Sequence, residues 1–180
     1  MKADLILYEI GQLITSRELE GNHIEMLENG YLAIKGDKII GVGTGEVPTS
    51  FIHFDTKFVK IGKKVVSPGL VDSHTHLVHG GSREHEFSMK IQGVPYLEIL
   101  AAGGGILSTL KATREASLEE LIEKTKKSLR YMLELGVTTV EAKSGYGLSL
   151  EQEIKQLEAT KLLNYLQPIS LVSTSMAAHA

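Results

Sequence analysis

The sequence predicts an α/β protein in which a β-rich segment precedes the first units of a parallel βα sheet. Residues 1–66 hold short runs of apolar and β-branched residues separated by glycine-containing turns, without helical periodicity. From residue 70 onward the predicted order is strand, helix, strand, helix, strand. Alternation of this kind is typical of parallel βα units.

The first 66 residues are predicted to form a small antiparallel sheet. Asp4 to Ile10 is an apolar run of β-formers, and residues 31–42 predict two short strands around Gly36-Asp37, which is a hairpin signal. Residues 51–59 partly alternate, and residues 63–66 lead into Pro68 with a β-branched pair.

A change of pattern follows Pro68. Residues 70–78 predict a buried strand, and a polar, glycine-containing loop is expected over residues 79–93. Residues 95–102 predict a short helix that stops at three consecutive glycines, residues 103–105.

Two longer helices are predicted. Residues 117–135 carry apolar positions at helical spacing, with a capping box of Ser117 and Glu120 at the start. A second helix is predicted from Ser149, with Gln152 completing a similar pattern, to about Leu166.

Strands are predicted before and after the second helix, at residues 137–143 and 169–176. About 110 residues follow Pro68, whereas a full (β/α)8 barrel takes roughly 200 or more. We therefore expect the chain to be a truncated piece of a longer protein; a small complete α/β domain is the alternative.

The composition narrows the class of function. The chain has 180 residues, a net charge of -3 and no cysteine. Disulfide frameworks and thiolate metal sites are therefore excluded, and no basic stripe suggests a nucleic-acid partner. No apolar run approaches the ~20 residues of a membrane span and no signal peptide is recognisable, so we expect no membrane partner and a cytoplasmic location.

His74 and His76 are the candidate metal ligands. Side chains at positions i and i+2 of a strand point to the same face, so two imidazoles at a strand end can reach one ion. The spacing alone is weak evidence for a metal site, because a pair of ordinary strand histidines with satisfied hydrogen bonds gives the same pattern.

The context of this pair is more specific. Residues 66–76 read Val-Ser-Pro-Gly-Leu-Val-Asp-Ser-His-Thr-His, which resembles the run that opens the barrel in the amidohydrolase superfamily. The resemblance implies that residues 67–180 form the first βα units of a (β/α)8 TIM-like barrel. It also implies that residues 1–66 supply strands of a small composite β-sandwich.

Further segments resemble the imidazolonepropionase family within that superfamily. The resemblance covers nearly all of residues 66–180, and its segments are residues 80–84, 96–106, 111–116, 136–147 and 178–180.

The resemblance implies hydrolysis of the cyclic amide of 4-imidazolone-5-propanoate with one divalent metal ion, Zn or Fe, at His74 and His76. It implies that Arg83 holds the substrate carboxylate and that Tyr146 and His179 contact the substrate. No catalytic acid or base is assigned in this chain, because the family's further ligands and acid–base residues lie on later strands. The full-length protein is expected to be a homodimer with a small-molecule substrate.

Several alternatives stay open on the residues alone. Arg83 could be a surface arginine, Tyr146 a packing residue and His179 a strand-end histidine bonded to backbone. Lys143 is interpreted as structural or as a pocket-lining charge, and His79 matches no ligand position of the family. At the level of function, the alternatives are another amidohydrolase such as a purine-type deaminase, or a non-catalytic structural module.

Overall fold

The computed structural model describes residues 1–21 and 23–179, without the side chains of Leu19 and His23. The chain divides into two compact units, Met1–Pro68 and Gly69–Ala180. No helix in the described residues combines the length and apolar character needed to cross a membrane.

The first unit is a five-stranded sheet. Strands β1, β2 and β3 follow one another as two antiparallel hairpins, while the short β4 and β5 both pair with β1 in parallel, so the order is β3-β2-β1-β4 with β5 also against β1. The strands are β1 Leu5–Leu19, β2 His23–Lys35, β3 Lys38–Thr44, β4 Lys57–Lys60 and β5 Val65–Val66, and a 3-10 turn spans Thr49–Phe51. The predicted β-rich segment is confirmed; the purely antiparallel arrangement is wrong, because the chain crosses over before β4 and re-enters beside β1 in the same direction.

The first hairpin is much longer than its sequence pattern suggested. β1 continues to Leu19, well past the predicted end at Ile10, and its partner β2 begins at His23. Register shifts at two places along this pair break the strict alternation that strand prediction relies on. Ile10 and Leu13 are nonetheless buried against Leu32.

The second unit is a parallel sheet in the order β6-β7-β8 with helices between the strands. Its elements are β6 Leu70–Thr75, α1 Glu84–Ile91, α2 Tyr96–Ala101, α3 Ile106–Glu115, α4 Leu118–Glu134, β7 Val137–Lys143, α5 Leu150–Leu166 and β8 Ser170–Thr174. The parallel alternation and the bounds of β7 agree with the prediction. The loop expected over residues 79–93 is wrong, because α1 occupies half of it. Its Phe87 and Ile91 are 66% and 71% exposed, so no buried apolar stripe marked the helix in the sequence.

Helices α4 and α5 cover one face of this sheet. Leu121 and Leu129 of α4 and Leu163 of α5 form a buried cluster with Val140 of β7 and Leu171 of β8. Because side chains alternate along a strand, the neighbouring positions of β7 point to the other face. The helices therefore fix the sheet from one side and leave the polar positions of β7 on the opposite side.

The two predicted capping boxes had different outcomes. Ser117 accepts a hydrogen bond from the backbone N–H of Glu120, whose carboxylate accepts from the N–H of Ser117, so that box is confirmed. Ser149 is in cap position but its side chain makes no capping hydrogen bond, so the second box is wrong.

Candidate active site

Three of the sequence-predicted site residues meet where the parallel strands end. His76 directly follows β6, Tyr146 follows β7 and His179 follows β8. The ring of His76 lies 4.9 Å from that of Tyr146 and 4.5 Å from that of His179, measured between centroids. The carboxyl ends of parallel strands share one edge of the sheet, which is where βα proteins build their sites.

A pocket of about 120 Å³ opens beside these rings and is lined by His76, His79, Ser82, Arg83, Thr109 and Tyr146. Arg83 is exposed and stands at the N-terminal cap of α1, so the loop after β6 carries it to the same pocket as His76. The pocket thus holds one guanidinium, two imidazoles and a phenol.

His76 is electrostatically unusual. Burial lowers its pKa, and the charges of His179, His74 and Lys143 lower it further, against a weaker opposite effect of the Ser144 backbone. Its Nδ1 is buried and has no hydrogen-bond partner among the described residues. A buried ring nitrogen without a partner is costly unless something outside the protein chain binds it.

His74 is not placed in this pocket. Its side chain is exposed, and its backbone N–H donates to the Oδ1 of Asp72 at 3.2 Å. The pairing of β6 with β7 shifts register between Asp72 and Thr75, so the regular alternation assumed for this stretch is interrupted. Across residues 1–21 and 23–179, no three His, Cys, Asp or Glu side chains cluster as metal ligands.

The loop that carries Tyr146 is held by a buried carboxylate that the sequence did not reveal. Glu153 of α5 is 3% exposed, and its oxygens accept the backbone N–H groups of Gly145, Gly147 and Leu148 at 2.7 to 2.9 Å. Burial alone would raise the pKa of Glu153, but hydrogen bonds from Ser144 and these backbone groups lower it below its ordinary value. In a helical sequence, a Glu in the first turn is typical of a solvated position, so nothing marked this one.

Two further side chains support the same loop. Gln156 is 1% exposed; its Oε1 accepts from the backbone N–H of Tyr146 and its Nε2 donates to the carbonyl of Val78. Arg114 of α3 donates from Nε to the carbonyl of Gly147 at 2.7 Å. The segment after β7 is therefore tied to α3, to α5 and to the segment after β6.

Lys143 lies at the end of β7 and forms an ion pair with Glu141 at 2.7 Å, with both side chains largely buried. Glu141 also accepts from the hydroxyl of Thr174 on β8, and both contacts lower its pKa. Of the two interpretations offered for Lys143, this pairing favours a structural one.

The chain was compared with proteins of known sequence. No family model matches it. Over its whole length it is 68% identical to the imidazolonepropionase of Fusobacterium nucleatum and 55% identical to that of Streptococcus gordonii. By sequence, this chain is a relative of the imidazolonepropionases. It corresponds to their N-terminal portion and spans 45% and 44% of the length of these two relatives, so it is less than half as long as the proteins it matches.

Solved structures of similar fold support the α/β fold class of this chain. Guanine deaminase from E. coli superposes with a TM-score of 0.66 at 17% identity, covering 94% of this chain and 36% of that one. Ochratoxinase from A. niger gives 0.59 at 18% identity over 95% of this chain and 30% of that one. An atrazine chlorohydrolase from Arthrobacter aurescens, solved in complex with zinc, gives 0.57 at 16% identity over 95% and 35%. At these identities the likeness shows the fold alone, which is an α/β fold shared with these three proteins.

Proposed function

We propose that the complete protein hydrolyses the ring C–N amide bond of 4-imidazolone-5-propanoate to N-formimidoyl-L-glutamate, a step of histidine degradation. The observation that carries the proposal is a single pocket joining His76, Arg83 and Tyr146 in a chain 68% identical to an imidazolonepropionase. The likeness to a purine deaminase is weaker, because it rests on 17% identity.

Each pocket residue has a role that its chemistry suits. The planar guanidinium of Arg83 can bind the propanoate carboxylate through two parallel hydrogen bonds. Tyr146 can donate its hydroxyl to the substrate, and His179, packed beside His76 at 4.5 Å, can contact the ring. Anchoring the carboxylate at Arg83 would hold the scissile bond at a fixed distance from His76.

The residues of this chain fit part of a binding site for a divalent metal ion, Zn or Fe. The buried Nδ1 of His76 lacks a protein partner among the described residues, and His74 lies two residues away. A metal ion of this kind, held by His76 and His74, would lower the pKa of a coordinated water and supply hydroxide at neutral pH. Catalytic sites usually need three protein ligands. We propose that the others, and the acid–base residue, come from the length of the relatives that this chain does not span.

The finer architecture is proposed on the same basis. Residues 67–180 would form the first units of a (β/α)8 TIM-like barrel, and residues 1–66 would supply strands of a composite β-sandwich. The complete protein would be a cytoplasmic homodimer.

The proposal is tested by assaying the complete polypeptide with 4-imidazolone-5-propanoate and with guanine, and by measuring bound metal in the same sample. Turnover of the imidazolone is expected, with activity lost in His76→Ala and KM raised in Arg83→Ala. Arg130→Ala is the matched control, because Arg130 is exposed and its ion pair among the described residues is with Glu134 on its own helix.

Two other outcomes of this assay would contradict the proposed function. A metal-containing protein that deaminates guanine and ignores the imidazolone would contradict the substrate assignment. A protein with neither metal nor activity would contradict the enzyme proposal altogether.

A further inference from the structure

The loop after β6, which connects His76 to Arg83, is hydrogen-bonded to the two helices α3 and α4. Gly80 donates its backbone N–H to the hydroxyl of Thr113 on α3. That hydroxyl in turn donates to the carbonyl of Thr109. A Cβ at Gly80 would collide with the carbonyl of Ala112, so the backbone approaches α3 as closely as only glycine permits.

From the other side, Lys124 of α4 reaches the same loop. Its Nζ lies 3.0 Å from the carbonyl oxygen of His79 and 3.0 Å from the Nδ1 of that residue, and it also donates to the carbonyl of Gly81. Three acceptors for the three protons of an ammonium group complete its hydrogen bonding. Burial lowers the pKa of Lys124, while the nearby carboxylate of Glu84 favours the charged form.

This arrangement selects one tautomer of His79. A ring nitrogen that accepts from an ammonium cannot carry a proton itself. The alternative tautomer would donate from Nδ1 to the carbonyl of Gly80, 3.0 Å away, but it would point an N–H at the positive Nζ of Lys124. The neutral ring favoured by the burial of His79 therefore has its proton on Nε2.

His79 lines the pocket together with Arg83, and its Nδ1 is occupied by Lys124. Nε2 is then the ring nitrogen available to a ligand. Its N–H is a donor, and an N–H donor beside a guanidinium suits a carboxylate.

We propose that Lys124 is a positioning residue that fixes His79 as an Nε2–H donor, and that His79 and Arg83 together bind the carboxylate of the ligand. The proposal about the ligand rests on the proposed function, because that function supplies the carboxylate; the tautomer does not depend on it.

The tautomer is measured first, by long-range ¹H–¹⁵N spectra of histidine rings in the complete protein, with His79→Gln to assign the signals. Wild type is expected to show a protonated Nε2 and a bare Nδ1. Lys124→Met should move the proton toward Nδ1, where Gly80 can accept it. Lys127→Met, an exposed lysine of the same helix, should leave the spectrum unchanged. A protonated Nδ1 in wild type, or no change in Lys124→Met, would overturn the inference.

Binding is measured second, by calorimetry with two probes, imidazole-4-propanoate and 4-ethylimidazole, which differ in the carboxylate. Lys124→Met and His79→Leu should each weaken binding of the propanoate about tenfold and leave 4-ethylimidazole unchanged. His79→Gln, which keeps an N–H donor, should lose less.

The two proposals fail differently in these experiments. If wild type does not prefer the propanoate, the proposed function is wrong and the carboxylate role of His79 falls with it. If wild type prefers the propanoate and Lys124→Met and His79→Leu retain that preference in full, only the further inference is wrong.

Discussion

The imidazole ring of His76 lies 4.5 Å from that of His179, although the two residues are 103 positions apart in the chain. Two imidazoles so close cannot both be positively charged without repulsion, and burial adds to the cost of charging His76. The pair therefore favours a neutral His76, the form in which a ring nitrogen can act as a ligand.

Removing His179 should raise the pKa of His76 toward its ordinary value without restoring it fully, because burial is the larger cause of the shift. The measurement is an NMR titration of His76 in metal-free wild type and in His179→Ala. His53→Ala is the control, since that half-exposed ring lies in the first unit. An unchanged or lower pKa for His76 in His179→Ala would contradict the electrostatic account.

Substitution of Glu153 should lower the stability of the second unit more than most substitutions there. Truncation in Glu153→Ala leaves three backbone N–H groups of the Tyr146 loop without an acceptor, which should cost about 3 kcal/mol of unfolding free energy. Glu158→Ala, at an exposed position of the same helix, should cost less than about 0.5 kcal/mol. Chemical denaturation of both variants tests this, and equal losses would contradict a special role for Glu153.

The contribution of Glu153 should also depend on pH. Because its pKa is lowered in the folded state from an ordinary value of 4.5, its stabilising charge is fully present above that value. It is lost as the pH falls from 4.5 toward the folded-state pKa. The stability difference between wild type and Glu153→Gln should therefore narrow on acidification. A difference that stays constant from neutral pH into this acidic range would argue against an ionised Glu153.

The two serines that begin α4 and α5 form a matched pair for helix capping. Ser117→Ala removes a capping hydrogen bond and should lower the free energy of unfolding by about 1 kcal/mol. Ser149→Ala should change it little, because that side chain makes no capping bond. Thermal or denaturant melts of the two variants compare them directly, and a larger loss for Ser149→Ala would show the assignment of caps to be wrong.

Gly145 and Gly93 separate backbone strain from crowding. Both have positive φ, 115° and 81°, so alanine should cost about 1 kcal/mol at each from conformation alone. At Gly145 the new Cβ would also lie 2.8 Å from the Cβ of His179, while a Cβ at Gly93 would have no described atom within 4 Å apart from its chain neighbours. Gly145→Ala should therefore be less stable than Gly93→Ala and should displace the ring of His179, which NMR shifts would report. Equal effects would place His179 away from Gly145 in solution.

The family resemblance, more than the residues alone, singled out His76, Arg83 and Tyr146, which line one pocket. His74 was predicted with His76 but is exposed outside that pocket. The strand Val137–Lys143 and the helix that begins at Ser117 were legible from the residues alone, because β-branched residues, apolar periodicity and a capping box are local signals.

What the sequence could not decide depends on atoms that are distant in the chain. The burial of Glu153, the contact of Lys124 with His79 and the parallel pairing of β1 with β4 are all tertiary relationships. A carboxylate or an ammonium on a helix has the same local pattern whether it faces water or a loop. Only the packed chain determines which backbone groups need a partner, because burial makes an unpaired polar group costly.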